Sequence, residues 1–448
     1  MYNDQTTSFT SPIRDAIGPW SGFSRSHSKD QSGTRIGPQL DTREGHYFDI
    51  ARIRSEGRCG GPLVGVLGDK DKGKSTIGKI IATEDAAVFN GKKKKRVYVD
   101  NHRHGEYAEL AHFYDTEMTA FDEKINVFDQ GVGFTIADHQ ITAEFLFIKA
   151  NDGVLPVEHQ PFVIETAVFK MFSNPEREKS AEEFGRILLG LTKEDGYNYL
   201  AASINQVGET SNIDWEHFKR DAGYVAQRVV RFLGGEIGKT FGGTGSIANR
   251  LTGHETSQGV VRSLKEGQTS RATVINFYGK NPTTTAFLIN FLGRIRLAAE
   301  LRGDTRFMFD TDLQDENYVM WDYFEYADGK VKSNKQSRTI PNAPTTVFTT
   351  HSLLDLESVK FSKQAFTNVR GIDVWFFFGM EHKVDRDATA DFFRLSKTET
   401  ERLGNLQVGQ YGFKVGTEDV VFAEIYLSPM RKKISYTNKA NDEALTRR

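Results

Sequence analysis

The stretch Gly68-Asp69-Lys70-Asp71-Lys72-Gly73-Lys74-Ser75-Thr76 constrains this chain more than any other. It has the form of a phosphate-binding (Walker A) loop, which works only where a strand passes into a helix. Both flanks meet that condition. Pro62-Leu63-Val64-Gly65-Val66-Leu67 is an apolar run of buried-strand character, and Ile77-Gly78-Lys79-Ile80-Ile81-Ala82 reads as the first turns of a helix. At such a junction the backbone amides and the helix N-terminus point at phosphate oxygens. Lys74 would reach the β- and γ-phosphates, and the Ser75 hydroxyl would take a Mg²⁺ coordination position. Residues 68–76 are therefore the expected site for a nucleoside triphosphate.

The 448 residues are enough for two or three domains or lobes around a large core. A net charge of −2 gives no global basicity that would argue for nucleic acid, although opposing charges can conceal a local basic channel. The single cysteine, Cys59, rules out an intramolecular disulfide and fits a reducing compartment. Met1 to Thr10 is polar and is not a signal peptide. No window approaches the apolar length of a membrane span. The expectation is a cytoplasmic protein, peripheral at the inner face of the cell membrane only through partners.

Residues 1–45 are rich in Ser, Thr, Gly, Asp and Arg and read as an extended arm carrying Trp20 and Phe23. Tyr47-Phe48-Asp49-Ile50 looks like a short strand. The run Lys92-Lys93-Lys94-Lys95-Arg96 reads as a solvated turn before the strand Val97-Tyr98-Val99-Asp100. That strand ends on an acid and leads to Gly105-Glu106-Tyr107. His102, His104 and His112 lack the spacing of a metal site.

From about 138 to 261 the pattern turns helical, and residues 46–137 and 262–430 read as the two halves of the nucleotide-binding core around this inserted lobe. Phe184, Ile187, Leu188 and Leu191 form one stripe, and Trp215, Phe218, Val225, Val229 and Phe232 another; both read as core. Pro282 to Leu301 is a long helix stopped by Gly303. Arg306-Phe307-Met308-Phe309-Asp310 reads as a strand closing on the Walker B acid, which holds Mg²⁺. Strands follow over 345–350 and 373–379, and residues 410–415 and 420–426 read as a hairpin. A polar tail occupies 431–448. The succession is α/β with a mostly parallel sheet flanked by helices.

These pieces resemble the TraC-like conjugation ATPases of type IV secretion systems, in the HerA/FtsK class of RecA-like P-loop motors. The resemblance spans roughly residues 45–430. It is carried by the Walker A loop, by Val99-Asp100 through Gly105-Glu106-Tyr107, by Lys124-Ile125-Asn126-Val127-Phe128-Asp129, and by the glycine-rich turn from Gly234 to Gly243. It implies a RecA-like fold, ATP and Mg²⁺ as ligands, a hexameric homo-oligomer, inner-membrane secretion components as partners, and a glutamate directly after the Walker B aspartate. Here Asp310 is followed by Thr311, with Asp312, Asp315 and Glu316 beyond, and the next strand tip carries Thr350-His351 where relatives tend to place a glutamine. Fuller relatives also carry a large N-terminal domain, which a separate polypeptide would have to supply.

The function this implies is a motor ATPase coupling MgATP hydrolysis to assembly or substrate transfer in a conjugation-type secretion machine. Lys74 and the loop amides would stabilise charge on the phosphates, and Ser75 with Asp310 would position Mg²⁺. Water activation would fall to Asp312, Glu316 or Glu106, with Glu106 favoured for its place at the sheet edge. Arg338 and Arg370 are candidates for the arginine that such motors insert from a neighbouring subunit. Two alternatives stay open: a HerA/FtsK-like DNA translocase or packaging motor, and an ATP-binding scaffold that barely hydrolyses, kept alive by Thr311.

Overall fold

A computed structural model describes residues 33–84, 95–100, 107–113, 118–120, 125–203, 214–235, 238–243, 246–252, 272–277, 281–314, 317–340 and 343–435. Its strands in chain order are β1 (Thr34–Pro38), β2 (Gly45–Phe48), β3 (Leu63–Leu67), β4 (Lys95–Asp100), β5 (Met118–Ala120), β6 (Ala272–Asn276), β7 (Phe309–Gln314), β8 (Thr345–Thr350), β9 (Val374–Phe378), β10 (Gln410–Val415) and β11 (Val421–Glu424). One sheet runs β11-β10-β9-β3-β8-β7-β4-β6-β5. From β9 to β5 every pairing is parallel, and β10 and β11 close one side antiparallel. The α/β, RecA-like architecture expected from the sequence is the one the chain adopts.

β3 and β9 are apolar on both faces, as parallel strands covered on both sides tend to be. In β3, Val64 and Val66 join one core while Leu63 and Leu67 join the other. In β9 the split is Val374, Phe376 and Phe378 against Trp375 and Phe377. Ile77, Ile80 and Ile81 of the helix Lys74–Glu84 cover the first face. On the second face Gly65 is obligatory, because a Cβ there would come within 2.3 Å of the Trp375 ring.

Between β5 and β6 the described chain is helical, with Ile136–Ala150, Gln160–Phe172, Ala181–Leu189, Lys193–Ser203, Trp215–Gly234 and Ile247–Thr252. Phe184, Ile187 and Leu188 of one stripe and Phe218, Val225 and Val229 of the other are buried in the second core. The segments starting at Ile125 and Gly238, far apart in sequence, meet directly. The Ile125 amide donates to Thr240 O at 2.7 Å, and Asn126 bridges to Gly242.

Four local readings change. The polar tail expected from 431 starts inside the helix Pro429–Ser435, which buries Arg431 and Ile434. Residues 34–38, taken as part of an arm, form β1, which pairs with β2 and buries Ile36 completely. The first 32 residues lie outside the described ones. Lys92 to Lys94 also lie outside, and Lys95 and Arg96 already belong to β4. The strand read over 306–310 starts later. Thr305–Phe307 is a 3₁₀ turn capped by Asp304, whose carboxylate accepts from the Arg306 amide at 3.1 Å, and β7 begins at Phe309. Phe307 and Met308 are buried at the end of that turn. Apolarity there marks core contact and not strand.

Candidate functional site

The phosphate loop leaves β3 after Leu67 and enters the helix at Lys74. Its backbone is left-handed at Gly68 (φ +150°), Asp71 (φ 60°) and Gly73 (φ +114°). Glycine is required at Gly68 twice over, because a Cβ would also lie 2.7 Å from Phe378 Cβ. These positive-φ residues bend the backbone sharply between the strand and the helix, as a phosphate-binding turn requires.

Neighbouring segments brace the loop. The Asp69 amide donates to Gly379 O at 3.0 Å, and the Glu381 amide donates to Asp69 Oδ2 at 2.6 Å. Lys72 Nζ lies 2.6 Å from Glu381 Oε1, and this ammonium holds the Glu381 carboxyl below its ordinary value. The Gly409 amide donates to Lys72 O at 3.0 Å. The ends of β9 and the turn before β10 therefore set the loop's shape. Lys70 and Asp71 are exposed at its crest.

Lys74 is only 5% exposed. Its ammonium donates to Asp69 O at 2.8 Å and lies 2.8 Å from Nδ1 of His351, where a neutral imidazole accepts. The sheet makes that contact possible: β8 lies beside β3 with Leu67 opposite Thr350, so the residue after the β8 tip stands next to the loop. Ser352 then caps the helix Leu353–Glu357, accepting from the Leu354 amide at 3.0 Å, and donates to Asp385. Ser75 and Thr76 sit half-buried in the first helical turn.

Register carries this edge across the sheet. Phe348 faces Gln314, Gln314 faces Val99, and Asp100 at the β4 tip faces Asn276. Asp310, read as the metal ligand, is the second residue of β7. At a strand rise of about 3.3 Å per residue, it is roughly 13 Å from the tip formed by Gln314. It belongs to the far end of the strand, so that assignment is corrected.

Asp312 is also unsuited to activating water. It is buried, ion-paired to Arg296, and accepts from Gln314 Nε2 at 2.9 Å. Thr311 is fully buried at the far end of β7, opposite Thr345, and so is not the residue beside the nucleotide. The residues that follow Gln314 in the sequence are Asp315 and Glu316, an aspartate followed by a glutamate. Both lie outside the described residues, as does Glu106, whose neighbour Tyr107 is fully buried with Lys79 Nζ 4.9 Å above its ring.

Arg338 and Arg370 precede β8 and β9 and so stand at the sheet edge opposite this chain's own loop. Arg338 donates to Gly371 O at 2.8 Å, and its carbonyl accepts from Arg54 at 2.7 Å. Arg370 is exposed at the end of the helix Ser362–Arg370. The structure thus brings together residues 68–76, His351 and Glu381, and keeps Asp310, Asp312, Arg338 and Arg370 away from them. Glu381 was missed by sequence reasoning; the available signal was its place just beyond the tip of an apolar strand adjacent to β3.

No protein-family description matches the chain, and no curated protein matches it. Among solved structures, it is similar to VirB4 of Thermoanaerobacter pseudethanolicus, with 14% identity and a TM-score of 0.58 over 90% of this chain and 99% of that one. It is also similar to the bacterial conjugative coupling protein TrwBdeltaN70, with 15% identity and a TM-score of 0.49 over 89% of this chain and 94% of that one. The first likeness extends over nearly the whole of both chains, and with the sheet order and phosphate loop described above it places this chain in the RecA-like P-loop fold.

Proposed function

We propose that this chain is a motor ATPase that couples MgATP hydrolysis to assembly or substrate transfer in a conjugation-type (type IV) secretion machine. The observation that carries the proposal is the phosphate loop itself, a turn with positive φ at Gly68, Asp71 and Gly73 at a strand-to-helix junction, with a buried Lys74. The fold shared with VirB4 supports the choice of machine.

In this reading the loop amides other than that of Asp69, with the start of the helix at Lys74, bind the β- and γ-phosphates. Lys74, held by Asp69 O and His351, is oriented before nucleotide arrives. Ser75 and Asp315 would hold Mg²⁺, which supplies charge neutralisation at the phosphate oxygens when bound. Glu316 becomes the preferred water-activating residue over Glu106, because it follows the β7 tip in sequence and only β8 separates β7 from β3. Residues 138–261 act as an inserted helical lobe, and assembly is a homo-oligomer, hexameric by the family resemblance. Membrane contact comes through partner proteins, since among the described residues no helix is long and apolar enough to cross a membrane.

The test is ATP turnover of the wild type beside Lys74→Ala and Glu316→Gln. Loss of turnover in both, with nucleotide binding kept in Glu316→Gln, supports the assignment. Full turnover in Lys74→Ala would sink the site. The scaffold alternative rested on Thr311, and that residue is remote from the loop.

A further inference from the structure

We propose that a cavity between the helices Ile136–Ala150, Pro282–Arg302 and Phe324–Ser337 is a binding site for a small amphiphilic anion, a carboxylate on an apolar body. The cavity holds about 490 Å³, within the size range of small-molecule sites. Ile141, Phe145, Leu297 and Leu301 make its apolar walls, and Asp312 and Gln314 of β7 make its floor.

Lys330 lines this cavity while being only 6% exposed, and its ammonium has no hydrogen-bonding partner among the described residues. The floor supplies no free counter-charge. Asp312 attracts this ammonium but is already paired with Arg296 and also accepts from Gln314, so Lys330, Arg296 and Asp312 together carry one net positive charge. A buried charge without an ion-pair partner is unfavourable. Burial accordingly pushes the Lys330 ammonium down to about 8.

Most of the other charges that line the cavity have partners. Asp328 pairs with Lys332 at 2.8 Å, and Arg294 donates to Thr142 Oγ1 at 2.9 Å and to the Asp138 carbonyl. Glu144 has its carboxyl pushed up by burial and faces Lys332. An anionic headgroup at Lys330 with an apolar tail along the walls satisfies both parts of the cavity. A free inorganic anion would leave the walls empty, and a neutral alcohol would leave the charge unpaired.

Gly293 offers a clean block. It lines the cavity, and a Cβ built there meets nothing within 4 Å. Gly293→Leu therefore fills the space without a clash, and loss of a helix-interior glycine favours the fold.

The experiment is calorimetric titration of the full chain with sodium octanoate, 1-octanol and inorganic phosphate, repeated on Lys330→Met and Gly293→Leu after checking that both melt no lower than wild type. The expected result is saturable octanoate binding to wild type, weakened at least tenfold in Lys330→Met and abolished in Gly293→Leu, with octanol and phosphate each at least tenfold weaker. Octanoate binding that is absent, or equal in both variants, overturns the site. Octanol or phosphate binding as tightly as octanoate overturns the amphiphilic assignment.

Discussion

The ammonium of Lys74 lies 2.8 Å from Nδ1 of His351, the residue that follows the strand next to the phosphate-loop strand. An acceptor there orients the lysine, and a hydrogen bond to a charged group contributes about 1.5–3 kcal/mol. His351→Ala should therefore lower kcat for ATP hydrolysis about tenfold or more. His351→Gln, whose amide oxygen also accepts, should stay within a few-fold. Steady-state kinetics separates the two, and equal loss in both variants would remove His351 as an orienting acceptor.

Because β7 ends at Gln314, the proposed acidic roles fall on Asp315 and Glu316, five and six residues beyond Asp310. Asp310→Asn should leave turnover within about twofold of wild type, whereas Glu316→Gln should lower kcat about 10²-fold or more while nucleotide still binds, as expected for loss of a positioned base. Single-turnover hydrolysis with both variants checks this. Strong loss in Asp310→Asn alone would restore the earlier reading.

Asp312 serves the fold. Removing it leaves Arg296 buried and unpaired, which costs about 3–5 kcal/mol. Asp312→Ala should shift urea unfolding by that amount, and double replacement with Arg296→Met should recover most of the loss. If Asp312→Ala unfolds like wild type, the pair contributes nothing.

His46 and His139 are both buried, and burial lowers the pKa of each to about 4. The unfolded chain binds a proton near pH 6.5 that the folded chain refuses until about 4. Their stabilising effect is thus complete above about 6.5 and is lost as pH falls toward 4, by roughly 3 kcal/mol per residue. Neither ring nitrogen of His139 has a hydrogen-bond partner among the described residues, and its ring stacks on Phe172 at 4.3 Å. His139→Phe should raise the melting temperature at pH 5 and flatten its pH dependence; an unchanged profile would contradict this.

The loop and its flanks were legible because one strand, one turn and one helix are contiguous in sequence. Core stripes such as Phe184, Ile187 and Leu188 were legible through helical spacing. The β7 boundary was not, because Phe307 and Met308 are apolar for a buried turn and mimic a strand. The braces from Gly379, Glu381 and Gly409 reach the loop from more than 300 residues away, through pairings that only the closed sheet creates. His351 was visible as a strand-tip residue, but its contact with Lys74 depends on β8 lying beside β3.

The proposed motor stands on ATP binding by residues 68–76. Equilibrium binding of a fluorescent ATP analogue, with Mg²⁺ present, is compared between wild type and folded Lys74→Ala. Wild type should bind saturably, and the variant should lose affinity about 100-fold, near 2.7 kcal/mol. Undiminished binding by Lys74→Ala, or none by wild type, would contradict it.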